Sequence, residues 1–278
     1  MVNIQHLDFS YPRKQPLFEE LSMELQPGNI YGLLGENGAG KTSLLKLIAG
    51  LLYPQTGVCL VHNYEASKRV PQMLSEIYMI PEEFYFPSIY IEEFVKINSA
   101  FYPKFSYEQF LEYMKEFNME NHQKLSSLSY GQKKKVLLAF GLATNAKLII
   151  LDEPTNGLDI PSKSQFRKVL ASSISEDQSY IISTHQVRDM ESLIDPIVVL
   201  DNGKIIFNHS VEEISLNLSF KIVKDDEAPE NMIYGESLVS GTAGILENKD
   251  QEETQINLEL LFNGIIQENE KMIQAFKK

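Results

Sequence analysis

The chain contains 278 residues, of which 43% are hydrophobic and 23% are charged, and its formal net charge at pH 7 is −13. This composition is ordinary for a globular protein with one large or two modest domains, whereas the acidic balance argues against nucleic acid as the main partner, because phosphate contacts need clustered lysine and arginine. A single cysteine, Cys59, excludes an internal disulfide bond and fits a reducing compartment.

The beginning of the chain predicts strands separated by turns. Residues 3–9 and 21–25 alternate polar with apolar side chains, which indicates half-buried strands. Residues 30–34 form an apolar run that indicates a buried strand, and the apolar positions between 44 and 52 recur at helical spacing. We therefore expect a buried strand and an amphipathic helix on either side of residues 35–42.

Residues 35–42 read Gly-Glu-Asn-Gly-Ala-Gly-Lys-Thr and match GxxxxGK(S/T), the phosphate-binding loop of many nucleoside triphosphatases. Glycines let the backbone turn tightly and approach phosphates, and the N–H groups at the following helix start attract the anion. An ordinary glycine-rich turn is the alternative, but the flanking strand and helix favour the phosphate loop. The nucleotide-binding residues predicted here are Gly35, Glu36, Asn37, Gly38, Ala39, Gly40, Lys41, Thr42 and Ser43.

Three residues of this loop have specific expected contacts. Lys41 is expected to reach the β- and γ-phosphates and to take part in catalysis, and the Thr42 hydroxyl is expected to hold Mg²⁺. Ser43 is placed to contact the α-phosphate. The loop therefore predicts a bound nucleoside triphosphate with Mg²⁺.

Between residues 87 and 144 the apolar positions follow a helical pattern. Ser106 with Gln109 three residues later predicts a capping box at a helix start. We expect the lysines at 133–135 to lie on a solvated helix face. The helix that begins after Ser106 is predicted to bury Phe110, Leu111, Met114 and Phe117.

Two apolar runs, 147–152 and 180–184, predict buried parallel strands. The first run ends in Asp152 and Glu153, and the C-terminal ends of such strands are where open α/β sheets bind ligands. Asp152 is expected to hold Mg²⁺ through water, and Glu153 to act as the general base; a plain surface acidic pair is the alternative. Strands that alternate with helices predict an α/β fold class.

The end of the chain differs in character. Charged connectors at 224–230 and 248–253 flank short alternating stretches that predict a few strands, and residues 258–276 predict one helix. We expect a domain over residues 1–215 and a small α+β extension over 216–278. The longest near-continuous apolar stretch is far shorter than the ~20 residues of a membrane span.

Three further motifs name a family. Residues 127–132 read SLSYGQ, residues 148–159 read LIILDEPTNGLD, and residues 183–186 read STHQ. With the phosphate loop, in this order and spacing, they resemble the ATP-binding cassette (ABC) ATPases, the nucleotide-binding subunits of ABC transporters. The resemblance covers about residues 1–215 and implies a P-loop NTPase core with a mixed sheet, an N-terminal antiparallel β subdomain and a helical insert at about 87–144.

The resemblance implies roles for residues outside the phosphate loop. Tyr11 would stack on adenine, and His185 would contact the γ-phosphate and orient water. Asp159 would act across a homodimer that sandwiches two ATP molecules. The signature residues that would contact the ATP of the other subunit are Ser129, Gly131 and Gln132. The plainer alternatives are a strand-edge tyrosine for Tyr11, a structural histidine for His185, a turn acid for Asp159 and a simple helix cap for the signature.

Two residues depart from the family pattern. Glu82 stands where the family often has a glutamine that senses Mg²⁺, and its carboxylate can still reach the metal and the nucleotide. Tyr130 replaces a small residue in the signature, so turnover is expected to survive at an atypical rate.

The resemblance implies an ATPase that powers transport through a separate integral membrane permease. We expect the chain in the cytoplasm, peripheral at the inner face of the cell membrane. Residues 216–278 are too few for the large β-barrel regulatory domain of many sugar importers, which favours an exporter. A soluble ABC ATPase that remodels a cytoplasmic complex, and a nucleotide-sensing switch with weak hydrolysis, remain as alternatives.

Overall fold

The computed structural model describes residues 1–224, 232–239, 241–249 and 254–277. The strands, in chain order, are β1 (Val2–Phe9), β2 (Phe18–Leu25), β3 (Ile30–Leu34), β4 (Thr56–Val61), β5 (Tyr64–Glu65), β6 (Ile77–Ile80), β7 (Leu148–Asp152), β8 (Ser179–Thr184), β9 (Ile197–Asp201), β10 (Lys204–His209), β11 (Leu218–Val223), β12 (Met232–Leu238) and β13 (Gly241–Glu247). The α-helices are α1 (Lys41–Ile48), α2 (Pro71–Leu74), α3 (Ile91–Ser99), α4 (Tyr107–Glu116), α5 (Tyr130–Ala143), α6 (Ile160–Ser173), α7 (Val211–Asn217), α8 (Leu258–Gln267) and α9 (Asn269–Gln274).

A six-stranded sheet in the order β10-β9-β3-β8-β7-β6 forms the centre of the molecule. Its strands are parallel except for β10, which pairs antiparallel with β9. Every residue of β7 and β8 is buried, which explains why both segments read as continuous apolar runs. Because β3, β8 and β7 are adjacent and parallel, the segments that follow them meet at one edge of the sheet.

An antiparallel sheet in the order β2-β1-β4-β5 covers one side of this centre. Its inward side chains share a hydrophobic core with α1, for example Val2 and Leu7 with Leu44 and Leu45. The predicted fold class, a P-loop α/β core with a mixed sheet and an N-terminal antiparallel subdomain, is confirmed.

Helices α3, α4 and α5 lie together beside the central sheet. Phe140 of α5 packs edge-on against Phe94 of α3, with ring centroids 5.2 Å apart. The Ser106 hydroxyl caps α4 by accepting from the N–H of Gln109 at 3.2 Å. The Gln109 side chain accepts instead from the Asn145 amide at 2.6 Å, so the reciprocal half of the predicted capping box is replaced by a tertiary contact.

The predicted inward face of α4 is wrong at one position. Leu111 is 38% exposed, whereas Tyr113 is buried. Phe110, Tyr113, Met114 and Phe117 follow the i, i+3, i+4, i+7 spacing of one helix face, and Leu111 lies about 100° away from Phe110 around the helix.

The end of the chain forms a three-stranded antiparallel sheet, β11-β13-β12, with α8 packed on it. The single helix predicted for 258–276 is wrong, because Glu268 leaves the helical region (φ −126°, ψ 41°) and separates α8 from α9. This turn lets Phe276 stack on His209, with ring centroids 4.2 Å apart.

The proposed division after residue 215 stays a prediction. Helix α7 crosses it, and buried side chains from both parts join one hydrophobic cluster. Most of the two predicted charged connectors lies outside the described residues. Among the described helices, none combines the length and apolar character that a bilayer crossing needs.

Candidate functional site

The phosphate loop links β3 to α1 and holds Lys41 in a buried position. Gly40 adopts φ +107° at the N-cap of α1, and a Cβ there would lie 3.0 Å from the Phe18 ring, so this position requires glycine. The Lys41 ammonium donates to the carbonyls of Gly35 at 2.6 Å and Glu36 at 3.1 Å. Burial lowers the pKa of Lys41, while the nearby Glu153 and Asp152 carboxylates raise it.

Asp152 joins three elements at the edge of the sheet. Its Oδ2 accepts from the Thr42 hydroxyl at 2.8 Å, and its Oδ1 accepts from the Ser183 hydroxyl at 2.6 Å. Asp152 is only 1% exposed. A hydroxyl and a carboxylate at this separation are the oxygen donors that Mg²⁺ prefers, so the residues present fit such an ion.

Glu153 follows β7 in a left-handed backbone conformation, with φ 47°, which costs a non-glycine residue of order 1 kcal/mol or more. Its N–H donates to the Ser183 carbonyl at 3.1 Å. Its Oε1 accepts from the His185 N–H at 3.1 Å and lies 2.8 Å from His185 Nδ1. Its Oε2 is buried and bonds to none of the described residues, so this oxygen is available to a proton donor such as water.

Glu82 and Tyr130, the two departures from the family pattern, are neighbours. The Tyr130 hydroxyl donates to the Glu82 carbonyl at 2.5 Å, and the Glu82 carboxylate accepts from the Asn156 amide at 2.8 Å. The Tyr130 ring stacks on Phe84 with centroids 5.0 Å apart. Burial, with the charges of Glu82 and Glu83, raises the pKa of Tyr130, so its hydroxyl remains a donor.

A cavity of about 370 Å³ collects most of the predicted residues. Tyr11 lines this cavity, and its phenol oxygen lies 2.9 Å from the Ser43 hydroxyl. Lys14 and Gln15 also line it, and no sequence pattern marked them beyond their closeness to Tyr11. The lining includes Tyr11, Lys14, Gln15, Leu17, Asn37, Gly38, Gly40, Lys41, Thr42, Ser43, Glu82, Asp152 and Glu153.

The signature residues and Asp159 lie outside this cavity. Ser129 and Gln132 form a capping box at the start of α5, in which the Ser129 N–H donates to Gln132 Oε1 at 2.9 Å. Asp159 caps α6 by accepting from the Ser162 N–H at 2.9 Å. Gly131 packs against Gly157, where a Cβ on Gly131 would lie 2.9 Å from the Gly157 carbonyl oxygen. Within one chain these residues serve as caps and close contacts, and their binding roles remain predictions.

The structure corrects the expectation for one of the three consecutive lysines. Lys134 is completely buried instead of lying on a solvated face. Its ammonium donates to the carbonyls of Glu153 at 2.5 Å and Asn156 at 3.1 Å. Burial lowers the pKa of Lys134 to about 8. The available signal was its position four residues before Leu138, on the face that α5 buries.

The comparisons with known proteins agree with this geometry. Residues 18–156 match the family described as ABC transporter. The chain is 32% identical over 212 residues to the SkfA peptide export ATP-binding protein SkfE of Bacillus subtilis, which covers 74% of this chain and 87% of that protein. It is 31% identical over 244 residues to the methionine import ATP-binding protein MetN of Carboxydothermus hydrogenoformans, with 81% and 71% coverage.

Solved structures share the fold. A dimeric ATP-binding cassette in a post-hydrolysis state, bound to ADP and Pi, aligns with a TM-score of 0.66 at 21% identity, over 76% of this chain and 99% of that chain. The family match, the relatives and the order of the motifs agree. The phosphate loop and the acidic pair Asp152 and Glu153 line one cavity. The chain therefore belongs to the ABC transporter family, as an ATP-binding subunit that hydrolyses ATP.

Proposed function

We propose that this chain is the ATPase of an exporter and works as a homodimer with a separate integral membrane permease. The observation that carries the proposal is the convergence of Lys41, Thr42, Asp152 and Glu153 on one cavity of about 370 Å³. Family subunits dimerise and pair with permeases, and the positions of exposed residues of this chain support both assignments.

Nucleotide binding is assigned to the phosphate loop and Tyr11. Lys41, held by the carbonyls of Gly35 and Glu36, offers its charge to the β- and γ-phosphates. The N–H groups at the start of α1 add to this attraction. Tyr11 offers a ring face to adenine, and its hydroxyl contact with Ser43 fixes the position of that ring.

Thr42 and Asp152 are assigned to Mg²⁺, and the 2.8 Å distance between their oxygens supports the pairing. When bound, the ion supplies positive charge to the phosphate oxygens. Glu82 lines the same cavity, but its carboxylate is engaged by Asn156. A Glu82 contact with the ion can use the other carboxylate oxygen while this hydrogen bond to Oε1 is kept.

Hydrolysis is assigned to Glu153 as general base. Its buried Oε2, which bonds to none of the residues that the structure describes, accepts the proton of the water that attacks the γ-phosphate. The backbone N–H of His185 donates to Oε1 and helps to fix the carboxylate. His185 also lines a second cavity together with the loop residues Gly35, Glu36 and Asn37. This shared lining supports a contact of His185 with the γ-phosphate in addition to its bond with the base.

The homodimer is inferred from residues that lie outside their own chain's cavity. Ser129 and Gln132 are exposed at the start of α5, where the helix dipole is positive, and Asp159 is exposed at the start of α6. Anions bind well at such helix starts. In a head-to-tail dimer, Ser129, Gly131 and Gln132 would contact the ATP of the partner, and Asp159 would connect the two sites.

The permease is assigned to a groove between the central sheet and the helical insert. A cavity of about 860 Å³ there is lined by Leu51, Leu74, Tyr78, Phe101 and Tyr102. Phe101 is 67% exposed and Leu51 is 50% exposed, which is a large apolar surface for a water-facing groove. A short amphipathic helix on the cytoplasmic side of the permease fits this groove and would hold the chain at the inner face of the membrane.

Export is the proposed direction because the chain is similar to a peptide export subunit, although an import subunit is similarly related.

The test is co-expression with candidate permeases. ATP with Mg²⁺ should shift the Glu153→Gln variant from monomer to dimer in size-exclusion chromatography. The wild-type chain should co-purify with a multi-span membrane protein and drive ATP-dependent uptake into inside-out vesicles. A chain that stays monomeric under these conditions refutes the homodimer, and uptake into right-side-out vesicles refutes export. Co-purification with a soluble complex alone would support the remodelling alternative.

A further inference from the structure

A buried lysine joins helix α5 to the turn that carries Glu153. Lys134 has no exposed surface, and its ammonium donates to the backbone carbonyls of Glu153 and Asn156. An ammonium is costly to bury unless its protons are bonded. The Lys134 side chain therefore binds the turn that follows β7 through two hydrogen bonds.

The turn held by Lys134 has an uncommon backbone. Glu153 adopts φ 47°, in the left-handed region, which a branched or long side chain enters only when its surroundings enforce it. The two carbonyls that Lys134 contacts lie at either end of residues 153–156. A charged hydrogen bond is about twice as strong as a neutral one, so the two bonds from Lys134 help to offset the cost of this conformation.

The same helix begins at the signature. Ser129 caps α5, and Lys134 follows five residues later, about 7.5 Å along the helix axis at 1.5 Å per residue. From Val136 to Ala143 the helix is buried, so its packing holds α5 firmly. A shift at the Ser129 end would therefore reach the Glu153 backbone through the Lys134 side chain, in addition to the close contact between Gly131 and Gly157.

We propose that Lys134 is a positioning residue that links the signature end of α5 to the orientation of the Glu153 carboxylate. Ser129 contacts the ATP held by the partner subunit, and Lys134 transmits its position to the base that serves the chain's own ATP. This inference rests on the proposed function, because it requires Glu153 as the base and Ser129 as a contact across the dimer.

The first test compares the Lys134→Met and Lys134→Gln variants with Lys133→Met in the full-length chain. Methionine keeps most of the length of the side chain without a donor, and glutamine keeps an amide group that can donate. We expect Lys134→Met to lower kcat for ATP about 10- to 100-fold, since small displacements of a reacting group cost this much. ATP affinity, measured by calorimetry in EDTA, should stay within about twofold because the phosphate loop is untouched.

The controls address folding and the effect of charge. Lys133 is the neighbouring lysine on the same helix and is only half-buried, so Lys133→Met should keep kcat within about twofold. Lys134→Gln should recover part of the lost rate through its single donor. If Lys134→Met does not fold, the same measurement on Lys134→Gln decides the question.

A double-mutant cycle separates positioning from simple structural support. If Lys134 acts through Glu153, then Lys134→Met should change the residual single-turnover rate of the Glu153→Gln variant by less than about threefold. Equal fold losses in both backgrounds, or no loss in the wild-type background, would overturn the inference. A wild-type chain that does not hydrolyse ATP would instead refute the proposed function, and the inference with it.

Discussion

Replacing Glu153 with glutamine tests the proposed base with the smallest change in shape. The amide oxygen can still accept from the His185 N–H, as Oε1 does at 3.1 Å. The amide nitrogen, however, takes the place of the buried Oε2 that bonds to none of the described residues. A donor now stands where an acceptor for the water proton is required.

The expected loss follows from the chemistry of that oxygen. Removing a general base costs 10²- to 10⁴-fold in rate, which corresponds to about 3–5 kcal/mol in the activation barrier. Lys41, Thr42 and Asp152 keep their contacts, so we expect ATP affinity to stay within about threefold. ATP should remain bound, and a dimer that forms on binding should persist.

The assay is steady-state phosphate release with saturating ATP and Mg²⁺, alongside calorimetric ATP binding. Glu83→Gln is the matched control, because it makes the same chemical change at an exposed carboxylate next to Glu82. We expect the control to keep its rate within about twofold. Turnover of Glu153→Gln at the wild-type rate would refute the role of Glu153 as base.

Three further predictions follow from named contacts. Thr42→Ala removes the hydroxyl that lies 2.8 Å from Asp152 Oδ2. The Mg²⁺ concentration for half-maximal turnover should therefore rise at least about tenfold, while ATP binding in EDTA is retained. An unchanged Mg²⁺ titration would contradict the assignment of Thr42 to the ion. Phe140→Ala should lower the free energy of unfolding by about 3–5 kcal/mol in urea titrations, because this ring is fully buried. The control Phe101→Ala removes a ring that is 67% exposed, so it should change the free energy of unfolding by less than about 0.5 kcal/mol. Phe101→Ala should nevertheless reduce co-purification with the permease. Burial raises the pKa of the Cys59 thiol to about 12, so the reactive thiolate is scarce at pH 8. Alkylation of Cys59 by iodoacetamide should therefore require unfolding. Rapid labelling of the native chain would contradict this expectation and show that the core around Cys59 opens.

Much of the fold could be predicted from short-range patterns. The strands at 147–152 and 180–184 were readable because a strand buried on both faces needs apolar residues throughout. The phosphate loop was readable because its backbone conformation and its lysine fix residue types at set spacings. The order of the motifs then identified the family, which the matched residues 18–156 and the relatives confirm.

Other features depended on partners that are distant in the chain. Lys134 looked like one of three equivalent surface lysines, and its burial follows from two carbonyls that lie 19 and 22 residues away. The Glu82 carboxylate contacts Asn156, which is 74 residues away. The break at Glu268 goes with the packing of Phe276 on His209.

The sequence by itself determined the α/β class, the nucleotide-binding motif and the family, because these depend on local spacing and on residue types that one backbone conformation demands. Only the tertiary structure decided which polar groups are paired and which remain available. Hydrogen-bond partners are selected by three-dimensional proximity, and local patterns do not encode the distance between remote segments. The buried link between Lys134 and Glu153 belongs to this second class, as does the neighbouring Oε2, which bonds to no residue in the described part of the chain.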